Sequence, residues 1–245
     1  MTSSVVDVVL PCLDEAKALP WVLQRMPSWA RPIVVDNGST DGSGQIARDL
    51  GASVVIAEQR GYGAACHVGL QAATAQLVAV MDADTSLDPG DLLLLLAAHR
   101  AGADLVVGRR MPVGRGAWPW HLRLANRVVT HALNRRTSLH LKDIGAMRLA
   151  PRAALLALAI DDRRSGYPLE TILRAVEAGW RVGEVDVAYR PRTGRSKVTG
   201  TPLGVARAVH DMTRVLADDS AHPGGHREVP RAGPGEDAAE PDLHT

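Results

Sequence analysis

The strongest constraint on the fold of this chain is an alternation, through its first half, of short Val- and Ile-rich runs with segments long enough to form helices. This alternation is typical of a largely parallel sheet with helices packed on its faces. The predicted strands are residues 5–10, 32–36, 53–57, 77–82 and 104–108. The predicted helices are residues 15–26, 44–50, 62–75 and 91–101. We therefore assign the chain to the α/β class, with a mostly parallel central sheet flanked by helices.

The second half of the chain has a different pattern. Its predicted elements are amphipathic helices at 118–136 and 167–178, a strand at 181–190 and a basic loop at 191–202. From residue 219 onward the sequence offers almost nothing apolar for burial, which predicts a disordered tail at 219–245. A chain of 245 residues can bury one sizeable core, so we predict a single catalytic domain at 1–218.

Composition excludes some classes of function. The chain has 28 Lys and Arg against 27 Asp and Glu, so its net charge of +1 provides no overall field that would attract nucleic acid. The two cysteines, Cys12 and Cys66, are too few for a disulfide framework and suit a reducing compartment as small buried side chains. No signal-like segment begins the chain, and the most apolar run, 92–98, is far shorter than the ~20 residues of a membrane span. We predict a cytoplasmic protein.

Two carboxylates, Asp82 and Asp84, stand one residue apart at the end of the strand predicted at 77–82. Mg²⁺ and Mn²⁺ prefer oxygen ligands and keep coordination positions open for substrate phosphates. An Asp-x-Asp pair at a strand end supplies half of such a site. Because Asp pairs also cap helices and close turns, the motif alone leaves both interpretations open.

Acidic clusters also follow the first and second predicted strands. The second strand runs into a polar turn in which Asp36 can accept hydrogen bonds from a base or ribose and Gly38 permits a close backbone approach. The simpler interpretation is a strand–turn–helix junction with Ser39 or Asp41 as the helix N-cap. The first strand ends in Pro-Cys-Leu-Asp-Glu at 11–15. Carboxylates at three strand ends are expected to share one edge of a parallel sheet.

Together these motifs resemble the family 2 glycosyltransferases of the GT-A fold, particularly the branch with the dolichyl-phosphate and polyprenyl-phosphate sugar synthases. The resemblance covers residues 5 to about 215 in consistent order. It implies a Rossmann-like nucleotide-diphospho-sugar transferase fold. It also implies that Asp82 and Asp84 hold Mg²⁺ or Mn²⁺, with Asp84 the closer ligand and Asp82 contacting the sugar nucleotide.

The resemblance also implies residues that bind the donor, a nucleotide-diphosphate sugar. They lie in a Pro-x-x-Asn-Glu element where Asp14 replaces Asn, in the base and ribose segment, in the loop before the third helix, in a basic turn, and in an Arg-x-Gly-x-Ser-Lys loop. Arg and Lys around a glycine can close over a pyrophosphate with charge-assisted hydrogen bonds. These residues are Pro11, Asp14, Glu15, Asp36, Gly38, Ser39, Arg60, Gly61, Tyr62, Gly63, Arg109, Arg195, Ser196 and Lys197.

Two further carboxylates complete the candidate catalytic set of Asp82, Asp84, Asp143 and Glu170. Asp143 lies in a segment that resembles the family's acceptor-side Asp-x-Gly element, and Glu170 in one that resembles its aromatic-x-x-Glu element. Either could take the proton of a hydroxyl acceptor. A phosphate monoester acceptor needs no base, because its second pKa is roughly 6.

The implied reaction is an inverting displacement at the anomeric carbon that moves a hexose from a donor of the UDP-glucose or GDP-mannose class to a phosphate-bearing acceptor. Arg109, Arg148, Lys197 and the basic, apolar residues 118–136 motivate a polyprenyl-phosphate acceptor and peripheral contact with the inner face of a membrane. The chain departs from its relatives at Ser86, where some have Gln as an extra metal ligand. It also departs by lacking the C-terminal spans that some carry.

Lone arginines are usually solvated, so Arg110 and Arg148 are expected on an exposed face. Two alternative functions stay open. A sugar-phosphate nucleotidyltransferase has a similar sheet, but usually a glycine-rich loop after the first strand, where this chain has residues 11–15. A non-catalytic nucleotide-sugar-binding protein is disfavoured by the intact Asp82 and Asp84. A dinucleotide fingerprint at 61–66 fails, because Cys66 replaces a small residue and the loop does not follow the first strand.

Overall fold

The computed structural model describes residues 5–194, 207–208 and 210–215. Its strands are β1 (Val6–Cys12), β2 (Ala30–Asp36), β3 (Ser53–Ile56), β4 (Leu77–Val80), β5 (Leu105–Pro112), β6 (Met147–Pro151) and β7 (Val182–Tyr189). Its helices are α1 (Leu19–Gln24), α2 (Ser43–Asp49), α3 (Tyr62–Ala72), α4 (Leu92–Arg100), α5 (Trp120–Thr137), α6 (Arg152–Ala157) and α7 (Tyr167–Glu177). Residues 210–215 are also helical. The predicted α/β class is confirmed.

The seven strands form one sheet in the order β3-β2-β1-β4-β6-β5-β7. Strand β6 is antiparallel to both of its neighbours, β4 and β5, whereas the β1–β2, β1–β4, β2–β3 and β5–β7 pairs are parallel. The other six strands therefore run in one direction and place their carboxyl ends at the same edge. That edge is where open α/β sheets bind ligands.

Both faces of the sheet are buried, which explains why its strands read as nearly continuous apolar runs. Val9 and Val35 point to the face covered by α3, α5, α6 and α7, while Val8 and Val34 point to the face covered by α1, α2 and α4. All four side chains are fully buried. Burying a side chain of this size contributes about 1.5–3 kcal/mol, so the two cores fix the sheet that carries the site.

The structure corrects several predicted boundaries. Helix α1 begins at Leu19 instead of residue 15, because the backbone amides of residues 14–16 donate to side chains of residues 39–43 and not to a helix. Strand β5 continues to Pro112, since it pairs with β7 as far as Tyr189. Arg109 and Arg110 therefore lie in a strand, and the basic turn predicted there is wrong.

Strand β6 and helix α6 escaped the sequence analysis. Strand β6 is only five residues long and has Arg148 within it, so it lacks the apolar run that marked the other strands. Strand β6 is defined by its antiparallel pairing with β4 on one side and β5 on the other, and these pairings appear only in the folded chain.

Both cysteines are buried and free, as predicted. Among the residues that the structure describes, no helix is both long enough and apolar enough to cross a bilayer. The domain boundary predicted at residue 218 and the tail predicted at 219–245 lie outside the described residues.

Candidate active site

The turns after β1, β2 and β4 form what we call the carboxylate edge, residues 11–16, 36–43 and 82–86. The first two turns are joined by reciprocal hydrogen bonds. The backbone N–H of Asp14 donates to Ser39 Oγ at 3.0 Å, and Asp14 Oδ1 accepts from the backbone N–H of Thr40 at 2.8 Å. The N–H of Glu15 donates to the Ser43 hydroxyl at 2.8 Å. Side chains from one turn thus satisfy the backbone of the other, and the edge is held in place.

Asp36 closes the second turn. Its Oδ1 accepts from the backbone N–H groups of Gly38 at 3.1 Å and Ser39 at 2.7 Å. Gly38 has φ +94°, and a Cβ there would lie 2.8 Å from a guanidinium nitrogen of Arg60. Glycine at this position therefore lets the Arg60 side chain lie against the turn. The base and ribose contact implied for Asp36 stays a prediction.

The helix cap expected in this turn is wrong. The N-cap of α2 is Gly42, in the left-handed conformation and without a side-chain cap. Asp41 instead accepts from the backbone N–H and the hydroxyl of Ser43. The Ser43 hydroxyl also accepts from the backbone N–H of Glu15. Asp41 therefore orients the hydroxyl that joins the two turns.

The Asp-x-Asp pair follows the end of β4 at the same edge, with Asp82 half-buried and Asp84 buried. Asp84 is 5% exposed, and its Oδ1 accepts from the backbone N–H of Ser86 at 3.0 Å and from the Ser86 hydroxyl at 2.5 Å. Ser86, at the position where some relatives have an extra metal ligand, therefore orients the Asp84 carboxylate. The second carboxylate oxygen of Asp84, Oδ2, faces the segment that follows β7.

Arg192, from that segment, bridges the carboxylate edge. Its guanidinium lies 3.2 Å from Asp84 Oδ2 and 2.9 Å from Glu15 Oε1. The N–H of Thr193 donates to the Asp84 carbonyl at 2.9 Å, which fixes the segment over the edge. A protein cation thus occupies the space between two carboxylates at the place where the sequence predicts a metal ion.

The electrostatics of the pair fit a divalent cation. Burial and the charge of Asp84 raise the pKa of Asp82 to about 7, even though Arg110, Arg192 and Arg148 lower it. Burial and the neighbouring Asp84 carboxylate thus disfavour a negative charge on Asp82, and a bound cation would offset both effects. In the described part of the chain, no three His, Cys, Asp or Glu side chains converge as a complete metal site. Asp82 and Asp84 would hold the ion, with substrate phosphates completing its coordination, as is usual for Mg²⁺.

A cavity of about 450 Å³ opens beside the pair. On one side it is lined by Pro11, Glu15, Arg60, Gly61, Tyr62, Asp82 and Asp84. On the other side lie Arg110, Trp118, Leu122, Ala125, Asn126, Val129, Ile144, Gly145 and Arg148. We call this second set the arginine side. The lining thus combines charged and apolar side chains, which suits a ligand that combines phosphate with less polar groups.

Some predicted donor residues lie away from the cavity wall. Gly63 packs against the 161–166 segment, where a Cβ would meet the Asp162 carbonyl oxygen at 2.5 Å. Arg109 points to the other face of β5 and pairs with Asp186 at 3.3 Å. Arg195, Ser196 and Lys197 lie outside the described residues. Their donor-binding roles stay predictions.

The two candidate bases are fully engaged with the protein. Asp143 Oδ1 accepts from Arg110 Nη2 and from the Gly145 N–H, and its Oδ2 accepts from the backbone and Nε of Arg110. Arg110 lowers the pKa of Asp143 against the effect of burial, which makes the carboxylate a weaker base. Asp143 is 1% exposed. The geometry makes it the partner that holds Arg110 in the cavity wall.

Glu170 has a similar structural role. Its Oε1 accepts from the N–H of Asp161 at 2.9 Å and from Arg174 Nε at 2.6 Å, while its Oε2 accepts from the N–H of Asp162 at 2.7 Å. It therefore anchors the segment that precedes α7. Neither Glu170 nor Asp143 lines the cavity as the structure stands.

The expectation that Arg110 and Arg148 lie on a solvated face is wrong. Arg148 is 4% exposed, and the side chain of Arg110 is 16% exposed. The Arg110 guanidinium lies 4.1 Å from the ring centre of Trp118 and 5.6 Å from that of Tyr189. Sequence analysis missed these contacts, because Trp118 precedes α5 and Tyr189 lies in β7, which meets β5 only in the folded sheet.

Helix α5, beyond the arginine side, has an exposed apolar stripe. Trp120 is 76% exposed, Leu124 52% and Val128 62%, and the spacing of four residues places them on one face. From residue 113 to residue 142 the chain has six basic residues and no Asp or Glu. They are Arg115, Arg123, Arg127, Arg135, Arg136 and Lys142. In a chain of net charge +1, this is a pronounced local excess of positive charge.

Comparison with known proteins agrees with this geometry. The family model described as "Glycosyl transferase family 2" matches residues 7–158. The chain is 50% identical over 218 residues to the uncharacterized glycosyltransferase Rv0539 of Mycobacterium tuberculosis, which covers 89% of this chain and 100% of that protein. It is 29% identical over 216 residues to polyprenol monophosphomannose synthase of Mycolicibacterium smegmatis, across 80% of this chain and 82% of the relative. The crystal structure of glucosyl-3-phosphoglycerate synthase from Mycobacterium tuberculosis with Mg²⁺ and uridine diphosphate superposes with a TM-score of 0.72 at 22% identity, covering 89% of this chain and 80% of that one.

Proposed function

Because the chain belongs to glycosyltransferase family 2, we propose that it transfers a hexose from a nucleotide-diphosphate sugar to a phosphate-bearing acceptor with the help of Mg²⁺ or Mn²⁺. The chain is a glycosyltransferase with the GT-A fold. The family assignment favours sugar transfer over the nucleotidyltransferase alternative. Donor, cation and acceptor class are the parts that we propose.

The observation that carries the proposal is the position of Asp82 and Asp84. Asp84 is buried and Asp82 half-buried at the carboxyl edge of the sheet, and Arg192 bridges Asp84 to Glu15 where a cation is expected. When bound, the divalent ion would act as a Lewis acid that neutralises charge on the leaving nucleotide diphosphate. The solved glucosyl-3-phosphoglycerate synthase, crystallised with Mn²⁺ and UDP-glucose, supports a donor and metal of these classes. Ser86 holds the Asp84 carboxylate towards the cavity, and Arg192 is placed to pair with a donor phosphate.

A phosphate-bearing acceptor agrees with the state of the candidate bases. Asp143 and Glu170 direct both of their oxygens to protein donors, so neither is free to take a proton from a hydroxyl. A phosphate monoester is ionised near neutral pH, with a second pKa of about 6, and can attack the anomeric carbon without a base. Attack opposite the leaving diphosphate would invert the configuration there.

The central experiment removes the metal ligands while keeping their shape. We expect Asp82→Asn combined with Asp84→Asn to lower the rate of nucleotide release from UDP-glucose or GDP-mannose with Mn²⁺ by about 10³-fold, or ~4 kcal/mol. Asp49→Asn, at an exposed helical position, is the matched control and should keep the parent's rate. A double variant that binds and turns over either donor as well as the parent would refute the proposal.

We further propose that the acceptor phosphate belongs to a polyprenyl lipid. The Trp120–Leu124–Val128 stripe and the six surrounding basic residues would place α5 in the headgroup layer of an anionic membrane, next to the apolar part of the cavity. The 29% identity to a polyprenol monophosphomannose synthase supports this acceptor class. It also agrees with the predicted peripheral contact at the inner face of the membrane.

Flotation with liposomes tests this part separately. We expect the parent to float with vesicles that contain phosphatidylglycerol, and Trp120→Ser with Leu124→Ser to remain in the pellet fraction. Leu93→Ser with Leu94→Ser is the control, because these two leucines on α4 are 41% and 45% exposed but lie outside the basic segment. Equal flotation of both variants, or no flotation of the parent, would remove the lipid from the proposal.

A further inference from the structure

Arg148 is a buried arginine whose guanidinium is only partly satisfied by the protein. Its Nη2 donates to the carbonyl oxygens of Ile144, at 3.0 Å, and Gly145. Its Nε and Nη1 have no hydrogen-bond partner within the described residues, although the residue is 4% exposed. Buried charged donors are almost always paired in native proteins, because leaving them unpaired is unfavourable. The arrangement therefore points to a partner that comes from outside the chain.

The position of Arg148 is set by the sheet. In β6 it pairs with Val80 of β4 on one side and Val107 of β5 on the other. Val80 lies two residues before Asp82, so this register brings the guanidinium to the same end of the sheet as the metal ligands. Arg148 lines the cavity together with Asp82 and Ile144.

The surrounding side chains do not neutralise Arg148. No carboxylate in the described part of the chain lies within ion-pair distance of it, and Asp82 acts on it only from further away. Burial raises the pKa of the Cys66 thiol to about 12 and also raises the pKa of the Tyr62 hydroxyl, so both neighbours are neutral at pH 7. The charge of Arg148 is therefore available to an anion in the cavity.

We propose that the Arg148 guanidinium, through its unpaired N–H groups, binds the phosphate group of the acceptor. This inference rests on the proposed function, because it assigns the anion to the acceptor of that reaction. The geometry of the cavity distinguishes acceptor from donor: the donor's phosphates are expected at Asp84 and Arg192, whereas Arg148 is held by Ile144, which contacts α5 through Asn126. A buried guanidinium with unpaired N–H groups can give a phosphate charge-assisted hydrogen bonds.

The test measures binding of inorganic phosphate by titration calorimetry to protein saturated with Mg²⁺ and UDP. With the donor subsite filled in this way, the phosphate reports on the second subsite. We expect Arg148→Gln to raise the Kd for phosphate about tenfold or more and to change the Kd for Mg²⁺–UDP by less than about twofold. Arg100→Gln, at the exposed end of α4, is the control and should leave both constants unchanged.

Each outcome decides the assignment. Equal phosphate affinity in the parent and Arg148→Gln, or no phosphate binding by the parent with UDP bound, would overturn it. If the parent binds neither Mg²⁺–UDP nor Mg²⁺–GDP, the proposed function fails, and the same titration without nucleotide then decides whether Arg148 binds the anion; if it binds only GDP, GDP replaces UDP throughout the test. If Arg148→Gln does not fold, Arg148→Lys replaces it. Lysine keeps the charge but loses the guanidinium N–H groups, so a phosphate Kd raised about threefold supports the assignment and an unchanged one overturns it.

Discussion

At the carboxylate edge, side-chain oxygens bind backbone amides of the neighbouring turn, whereas the arginine side is held by a buried ion pair between two side chains. Asp14, Ser39 and Ser43 make their contacts between turns at the ends of two adjacent parallel strands. Arg110 and Asp143, in contrast, join β5 to the segment before β6. The first kind of structure distributes its stability over many modest hydrogen bonds. The second concentrates it in a few buried charges.

The difference in construction has a functional meaning. The carboxylate edge supplies the carboxylates of Asp82 and Asp84 to the cavity wall, and the arginine side supplies the guanidinium groups of Arg110 and Arg148. A metal-bound donor suits the first wall and a phosphate acceptor the second. Substitutions in the carboxylate edge and in the arginine side should therefore differ in how much they lower the free energy of unfolding. They should also differ in which ligand they affect.

The largest stability effect is expected on the arginine side. Asp143→Ala leaves the Arg110 guanidinium buried without its partner and should lower the free energy of unfolding by about 3–5 kcal/mol. Asp186→Ala, which removes the 56% exposed partner of Arg109, is the control and should cost less than about 1 kcal/mol. Urea unfolding monitored by tryptophan fluorescence measures both. Similar losses in the two variants would contradict the contrast between the walls.

The Arg110–Asp143 pair also predicts a pH dependence. Because Arg110 lowers the pKa of Asp143 in the folded protein, its stabilisation is present above the unfolded pKa of about 3.9 and is lost as pH falls through the folded value. The difference in unfolding free energy between the parent and Asp143→Ala should therefore shrink when urea titrations are moved from pH 7 to below about pH 4. A difference that stays constant over this interval would show that the charge of Asp143 is not what stabilises the fold.

A smaller stability effect is expected at the carboxylate edge. Ser43→Ala removes the acceptor for the Glu15 N–H and one donor to Asp41, and should cost about 1–2 kcal/mol. It should also weaken Mg²⁺–UDP binding, because the turn that carries Glu15 loses its support, and should leave phosphate binding in the second subsite unchanged. Calorimetric titration with each ligand measures the two changes in Kd, for Mg²⁺–UDP and for phosphate. Loss of both affinities to the same extent would mean that the two walls are not independent.

The smallest effect is expected for Mn²⁺ binding at the position where Arg192 lies between Asp84 and Glu15. Arg192→Gln removes the guanidinium between Asp84 and Glu15, so Mn²⁺ binding without nucleotide should tighten by about two- to fivefold, as expected for a partly exposed ion pair. With UDP present the same variant should bind the nucleotide more weakly, since a phosphate partner is lost. Electron paramagnetic resonance of free Mn²⁺ gives the first value. Weaker Mn²⁺ binding without nucleotide would show that Arg192 does not compete with the metal.

Sequence analysis predicted most strands and helices in the first half of the chain, because the apolar pattern of a few neighbouring residues decides each of them. Val- and Ile-rich runs marked β1 to β4, and the acidic clusters after three of them lie at one edge, as expected for parallel strands. The boundaries failed where a residue is used by a distant part of the chain. Helix α1 starts late since the amides of residues 14–16 bind the turn after β2. Strand β6 was missed because it is short and interrupted by Arg148.

The sequence by itself determined the α/β alternation, the Asp82–Asp84 pair at a strand end and the basic character of residues 113–142, because apolar periodicity and charge composition are local properties. Only the tertiary structure decided that Arg148 is buried beside the pair, that Arg192 reaches Glu15 across 177 positions, and that Asp143 and Glu170 serve the protein's own donors. The position of Arg148 depends on the insertion of the antiparallel strand β6 between β4 and β5. Its place is fixed by burial of both faces of the sheet, a property of the whole chain that no short window of residues contains.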